Sequence, residues 1–148
     1  MTRTIRLAPE RFNIARRETI RGVNIDVLPS PYDVPEIMAV NYNKETFNFS
    51  LAFKYIGQEE FLDEHSFDWG IRLLLGIKSR RINQILVHLG KGEGAIRNHQ
   101  DLAAAIGSAI DSLEKGQNSP VKSFNYFIVK EIMSSMSSDI FGVVNRPS

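Results

Sequence analysis

The sequence predicts an α+β fold: an antiparallel sheet of about five strands, arranged as hairpins and covered on one face by two C-terminal helices. Two observations lead to this prediction. Residues 19–89 contain several segments with apolar residues at every second position, and residues 98–136 have apolar residues at three- and four-residue steps. Strands followed by helices are typical of an α+β domain with an antiparallel sheet.

The composition is that of one globular domain. The chain has 148 residues, of which 43% are hydrophobic and 24% charged. A chain of this length buries enough surface to fold without a disulfide. We expect a single domain over residues 19–144, preceded by a basic arm at residues 1–18 and followed by a tail at residues 145–148. Because there is no cysteine, disulfides, thiolate metal sites and cysteine nucleophiles are excluded.

The net charge and the lack of a long apolar run bear on which partners the protein can bind. The formal net charge is +1, which gives no overall attraction to nucleic acid or to acidic membranes. No apolar run approaches the roughly 20 residues that a membrane-spanning helix requires. We therefore expect a cytoplasmic protein without a membrane partner, and nucleic-acid binding through the N-terminal arginines is the least favoured interpretation.

Phe47–Tyr55 is the clearest strand. Its odd-numbered positions are large and apolar or aromatic, whereas the even-numbered positions are small or polar. Side chains alternate across a strand, so this pattern predicts one buried and one open face. The aromatic side is assigned to the core because the two helices downstream need a surface to cover.

Four further segments also alternate, although Leu86 interrupts the pattern in the last of them. They are Thr19–Leu28, Val34–Tyr42, Ile71–Ile77 and Ile82–Leu89. The second of these is expected to pair with Phe47–Tyr55 as a hairpin, and the last two are expected to form another hairpin around a basic turn.

An acidic connection, residues 57–70, separates the two predicted hairpins. Five acidic residues lie in it without any lysine or arginine: Glu59, Glu60, Asp63, Glu64 and Asp68. A short amphipathic helix over Gln58–His65, lying at the sheet edge, is the structure expected here. Such a charge run is either a solvated surface or, since function concentrates in long connections, a binding segment.

Two helices complete the predicted fold. Asn98 is a suitable N-cap, with Asp101 at the third helical position, and Lys115–Gly116 marks the end of the first helix. The second begins at Ser119–Pro120 and is apolar over much more than one stripe. It is therefore either deeply buried or shared with a partner, and a short terminal strand over Ile140–Val144 follows it.

The glycine-rich connection between the last strand and the first helix is a candidate anion site. Gly90, Lys91, Gly92 and Gly94 offer backbone amides and one cation beside a helix N-terminus. The spacing is not that of a dinucleotide-binding or Walker motif, and the acidic Glu93 opposes a phosphate. A plain connector is the competing interpretation.

Catalytic and metal-binding signatures do not appear in the sequence. His65, His88 and His99 lack the four-residue spacing of a zinc-protease motif, and no GxSxG nucleophile motif occurs. No catalytic residue, metal ligand or cofactor is assigned, and we do not expect an enzyme.

A non-enzymatic interaction module is the predicted function. It would be an adaptor, chaperone-like or inhibitor protein that binds another protein or forms a homodimer through the second helix. The residues predicted to contact the partner are Glu59, Glu60, Asp63, Glu64, Tyr126 and Met133. The alternative is a small-ligand or anion-binding domain, an enzyme among its possible forms, that uses the Gly90–Gly94 loop.

Overall fold

The computed structural model describes residues 2–7, 16–27, 31–57, 59–89, 96–116 and 124–143. The strands are Thr2–Arg6 (β1), Arg16–Ile20 (β2), Val23–Val27 (β3), Ile37–Asn43 (β4), Asn48–Lys54 (β5), Leu62–Phe67 (β6), Ile71–Gly76 (β7) and Ile82–His88 (β8). The helices are His99–Lys115 (α1) and Phe124–Phe141 (α2).

The main sheet has six antiparallel strands in the order β1-β4-β5-β8-β7-β6, and the two helices pack on it. The predicted α+β class is therefore confirmed. Both predicted hairpins, β4–β5 and β7–β8, are also present. Strands β1 and β6 form the two edges of the sheet.

Strand β5 lies inside the sheet and separates its two faces. Phe49 and Leu51 are fully buried, and they lie beside Val87 and Ile85 of β8. Residues of β5 on the other face are only partly buried or exposed. The aromatic side of this strand is thus core, as the alternation predicts, and the helices cover that side.

Helix α1 begins and ends where the sequence predicts. The side chain of Asn98 accepts a hydrogen bond of 2.8 Å from the backbone N–H of Asp101. At the other end, the N–H of Gly116 donates to the carbonyl of Ser112. Leu102, Ile106 and Ile110 face the core and are fully buried, which accounts for the helical spacing of the apolar residues.

Helix α2 is buried over most of its circumference because it packs on α1 and also touches β8. This placement explains why the helix is apolar beyond a single stripe. The predicted terminal strand is wrong for the described part of its range, since α2 continues to Phe141 and residues 142–143 form a turn. The predicted start at Ser119–Pro120 lies outside the described residues.

The first strand lies in the segment predicted as a basic arm. β1 pairs with β4, with Ile5 opposite Met38, and the N–H of Leu7 donates to the carbonyl of Glu36. Ile5 and Leu7 are both buried. This part of the segment therefore contributes to the sheet and to the core.

The single strand predicted over Thr19–Leu28 is wrong, because residues 19–20 end β2, residues 21–22 form a turn and residues 23–27 form β3. β2 and β3 pair around a two-residue turn in which Arg21 has φ 52° and Gly22 has φ 80°. Two positive φ values match the tight turn that suits the twist of a hairpin. The β2–β3 hairpin forms a sheet of its own and packs extensively against no other described element.

The acidic connection contains a strand where a helix was predicted. Residues 62–67 form β6, which pairs with β7 from Leu62 opposite Gly76 to Phe67 opposite Ile71. An edge strand has little apolar surface to bury, so Asp63 and His65 occupy positions that are apolar in the central strands. Because charged residues occupy both faces of β6, its sequence lacks the alternation of apolar and polar residues that predicts a strand.

Candidate functional site

The free edge of β6 is the candidate site. Among the described strands, β6 pairs only with β7. The carbonyl of Phe61 accepts a hydrogen bond of 2.9 Å from the N–H of Ile77, just before the strand begins. Backbone groups in an antiparallel ladder alternate in direction, so those of Leu62, Glu64 and Ser66 point away from β7. No described strand pairs with these groups, so another extended chain can bind to them.

Two apolar side chains stand exposed at the start of this edge, and we call them the edge patch. Phe61 is 87% exposed and Ile77 is 54% exposed. Together with Glu59, Glu60 and Lys78 they line a surface depression of about 540 Å³. A large aromatic side chain surrounded by polar groups is typical of the anchor residues of protein interfaces.

Hydrogen bonds of the Glu60 side chain hold the backbone next to Phe61 in position. Its Oε1 accepts hydrogen bonds from the backbone N–H groups of Lys78 (2.9 Å) and Ser79 (3.0 Å) and from the Ser79 hydroxyl (3.2 Å). The carboxylate thus ties the connection before β6 to the turn between β7 and β8. Burial raises the pKa of Glu60, but these hydrogen bonds and the charge of Arg81 outweigh that effect and lower it.

Gly76 leaves the space that the Glu60 carboxylate occupies. A Cβ atom at this position would collide with Glu60 Oε1 and would also crowd the Ser79 hydroxyl. The last residue of β7 is therefore small for a local steric reason. Glu60, predicted as a partner contact, binds within its own chain through Oε1, and its contact with a partner stays a prediction.

The other acidic residues of the site are partly neutralised. Asp63 lies 3.1 Å from His65 Nε2 and 3.5 Å from Arg80, and Glu64 lies 3.2 Å from Arg72. These pairs are exposed and contribute little to stability. Asp63 and Glu64 are exposed on β6, and Glu59 is exposed beside the edge patch; their role as partner contacts stays a prediction.

The remaining predicted contacts do not join this site. Tyr126 and Met133 lie in the core with 0% and 1% exposure, so neither is available to a partner in this fold. A homodimer through the apolar surface of α2 has the same difficulty because that surface already packs inside the domain. Gly90, Lys91, Gly92 and Gly94 lie outside the described residues.

A buried polar cluster supports the corner from which the acidic connection leaves β5. Asn125 accepts from the N–H of Ile82 (2.8 Å), and its Nδ2 donates to the carbonyl of Asp33 (2.9 Å) and to the Tyr55 hydroxyl (2.8 Å). The Tyr55 hydroxyl in turn donates to the Ile82 carbonyl (2.6 Å). One amide therefore joins α2, β8, the end of β5 and the turn before β4.

Arg81 covers the outer side of this cluster. Its guanidinium lies 4.6 Å from the centre of the Tyr55 ring and donates to the carbonyl of Tyr32. Burial raises the pKa of the Tyr55 hydroxyl far above its ordinary value, against the lowering effects of Asn125 and Arg81. Tyr55 therefore remains neutral and serves as a hydrogen-bond donor.

The histidines are separate from one another. His65 contacts Asp63, His88 contacts Asn48 and His99 contacts Ser137. No group of three His, Cys, Asp or Glu residues that could hold a metal ion occurs within the described ranges. Over those same ranges, neither helix is long and apolar enough to cross a membrane.

The sequence pointed to the acidic stretch but not to its most distinctive members. The sequence predicts no binding role for Phe61 or Ile77. Their proximity depends on the pairing of β6 with β7, which continues as a backbone hydrogen bond between these two residues. Compared with protein-family models, curated proteins and solved structures, the chain matches none. Its function must therefore be inferred from the geometry described above.

Proposed function

We propose that this protein is a protein-interaction module that binds an extended segment of another polypeptide at the free edge of β6, with Phe61 as the anchoring side chain. The observation that carries the proposal is the 87% exposure of Phe61 beside an edge of β6 that no described strand pairs with. Main-chain hydrogen bonds to β6 supply affinity, and the edge patch supplies selectivity.

Burial of the exposed Phe61 side chain by a partner contributes to the free energy of binding. Burying a phenylalanine side chain contributes roughly 1.5–3 kcal/mol relative to leaving it in water. Ile77 extends the apolar surface, and Lys78 with Glu59 forms a polar rim. An apolar centre with a polar rim is the common arrangement of protein interfaces.

The edge patch is held in place before a partner arrives. Glu60 binds the turn at Lys78 and Ser79, and the carbonyl of Phe61 is bonded to Ile77. A segment that is already ordered loses less conformational entropy on binding. The hydrogen bonds of Glu60 therefore support affinity by holding the connection before Phe61 in place.

The charges of β6 restrict which segments can pair with it. Asp63 and Glu64 repel acidic strands and favour a strand with basic residues at the facing positions. Charged residues on an edge also protect it against unspecific strand pairing. The predicted interaction role of these two residues is retained in this proposal as a selectivity role.

Comparison of matched variants in partner capture tests the proposal. The immobilised protein is exposed to extract from cells that naturally contain it, and retained proteins are quantified for the wild type and for Phe61→Asp. We expect the specific partner to be lost by roughly tenfold or more, because an anchor residue is replaced by a charge. Folding should be unchanged, since the side chain is 87% exposed.

Two controls make the result specific. Ala104→Asp adds the same charge at an exposed position of α1 and should leave capture unchanged. Ser66→Pro removes an outward-pointing N–H of β6, so it should weaken capture while preserving the ladder to β7. Equal capture by the wild type, Phe61→Asp and Ser66→Pro would contradict the proposal.

A further inference from the structure

We infer that strand β1 of a second copy of this chain pairs antiparallel with the free edge of β6, so that copies join head to tail in one continuous sheet. This inference rests on the proposed function, because it names the partner at the same edge. Three features carry it. The strands β1 and β6 are the two edges of the described sheet, their outward-pointing residues lie on the same face, and the side chains of these residues match.

Strand β1 has free backbone groups of its own. The N–H of Leu7 donates to the carbonyl of Glu36, directly opposite in the continued β1–β4 register. Because the ladder alternates, Ile5 also faces β4, whereas Thr4 and Arg6 point away from it. Among the described strands, β1 pairs only with β4. The N–H and carbonyl groups of Thr4 and Arg6 can therefore pair with another strand.

The outward-pointing residues of both edges lie on the face of the sheet opposite the helices. Thr4 of β1 and Glu64 of β6 stand at the two ends of one row of directly paired residues. The row between them consists of Ala39, Ala52, Gln84 and Leu74. Residues directly opposite each other in an antiparallel pair share a face. A second copy can therefore add its β1 to β6 with its helices on the same side as those of the first.

One register matches these residues in character. It places Arg6 of one copy opposite Glu64 of the other, and Thr4 opposite Ser66, as hydrogen-bonded pairs. All four side chains are exposed in the single chain. Opposite charges and paired hydroxyl groups both stabilise cross-strand neighbours. A shift by two residues would place Arg6 opposite Leu62 or Ser66 and would lose the ion pair.

The same register brings no like charges directly opposite each other on the helix-covered side. The pairs there are Arg3 with Phe67, Ile5 with His65, and Leu7 with Asp63. Asp63 keeps its contacts with His65 (3.1 Å) and Arg80 (3.5 Å). Glu64, on the open face, stays 3.2 Å from Arg72 and gains a second cation on its other side.

The helix layer of a second copy also fits beside α1. Helix α1 packs on β7, and a depression of about 270 Å³ separates it from the end of β6. The residues that α1 contributes to this depression are all small: Ala105, Ser108, Ala109 and Ser112. Small residues let a neighbouring helix approach closely.

The neighbouring helix would be α2 of the second copy. Helix α2 ends near β1, where the guanidinium of Arg3 donates to the carbonyl of Asp139 (3.4 Å). An added β1 lies two strands from β7, which is about 10 Å at the usual spacing of strands. Packed helices are about 8–10 Å apart, so the end of this α2 comes to packing distance from α1. Because the contact joins two different surfaces, it leads to a ring or an open chain of copies.

Proline substitutions at the two edges test the inference. Thr4→Pro and Ser66→Pro each remove one outward-pointing N–H and keep the ladder within their own chain. In sedimentation velocity over a concentration series, the wild type should form species larger than a dimer. Each variant alone should associate roughly tenfold or more weakly. An equimolar mixture should form a 1:1 dimer that does not grow, because one intact β1 meets one intact β6.

Charge reversal provides an independent test. Arg6→Glu and Glu64→Arg should each raise the dissociation constant by roughly tenfold or more. Their equimolar mixture should restore association, because every contact between the two variants again joins opposite charges. The matched control is Glu45→Arg, at an exposed position of the turn between β4 and β5, and it should associate like the wild type.

A wild type that stays monomeric overturns the inference, as does a mixture of the folded proline variants that associates no better than either alone. If circular dichroism shows that a proline variant is unfolded, the charge variants decide, and association of Arg6→Glu equal to that of the wild type overturns the inference. Capture that depends on Phe61 while the wild type remains monomeric would overturn this inference and leave the proposed function standing.

Discussion

Asn125 shows how much one side chain can determine in this fold. Its amide has 1% exposure and makes hydrogen bonds to the backbone of Ile82 and Asp33 and to the hydroxyl of Tyr55. Buried polar groups that lose their partner cost more than the lost hydrogen bond alone, because they remain desolvated. No sequence pattern marks this residue, since a polar position in an apolar helix normally indicates its exposed side.

Replacement of Asn125 should therefore be costly. We expect Asn125→Leu to lower the free energy of unfolding by about 2–4 kcal/mol, because the Ile82 N–H and the Asp33 carbonyl lose their partner. Tyr55→Phe keeps the ring and loses one hydroxyl, so about 1 kcal/mol is expected. Urea denaturation measures both, and equal losses would contradict the assigned role of Asn125.

Gly76 and Glu60 should be coupled energetically. Gly76→Ala forces the Glu60 carboxylate out of its position, and the hydrogen bonds to Lys78 and Ser79 are lost with it. We expect a loss of about 1 kcal/mol for this partly exposed cluster. In the Glu60→Ala background the same substitution should cost less, since only the Ser79 hydroxyl remains to be displaced. Additive losses in the double-mutant cycle would show that the collision is not with Glu60.

The lowered pKa of Glu60 makes part of the stability pH-dependent. A carboxylate with a lower pKa in the folded than in the unfolded protein stabilises the fold above its unfolded pKa. This stabilisation is lost as the pH falls through the folded value. Stability of the wild type should therefore fall more steeply below the ordinary carboxylate range than that of Glu60→Gln. Superimposable acid profiles of the two proteins would refute the role of the hydrogen bonds.

Among the elements, predictability follows the amount of apolar surface that each one buries. β4 and β5 alternate cleanly, and β7 and β8 alternate apart from a register shift at Leu74–Leu75, because one face of each strand lies against the helices. β6 was misassigned because an edge strand with one neighbour carries charges on both faces. The β2–β3 hairpin was read as one strand, although Arg21–Gly22 supplies a positive-φ turn.

The contrast between a core strand and an edge can be measured with one substitution at two positions. Phe49→Ala on β5 should lower the free energy of unfolding by about 3–5 kcal/mol, because it leaves a cavity in the core. Phe61→Ala beside β6 should change it by no more than about 0.5 kcal/mol. Thermal and chemical denaturation test the pair, and similar losses would mean that Phe61 is packed in solution.

At the scale of the whole molecule, the two-layer architecture could be predicted and the site could not. The order of hairpins and helices fixes an α+β domain, since helices with a wide apolar surface must cover the sheet. The edge patch depends on Phe61 meeting Ile77, a contact set by strand pairing across sixteen positions rather than by local periodicity. The same holds for the contact of Glu60 with the turn at Ser79.

Three regions described by the structure therefore have different roles. The helix-covered face provides stability, the Asn125 cluster and Glu60 position the connection before β6, and the free edge of β6 is where we place binding. Tyr126 and Met133 belong to the first of these, although the sequence suggested the third.

Backbone amide hydrogen exchange, measured on the free protein and on its complex, tests the central claim most directly. The complex is formed with the captured partner. The outward-pointing amides of Leu62, Glu64 and Ser66 should exchange quickly in the free protein and become protected in the complex, while the amides of β5 remain unchanged. Protection that appears elsewhere on the surface and leaves these three amides unaffected would contradict binding at the β6 edge.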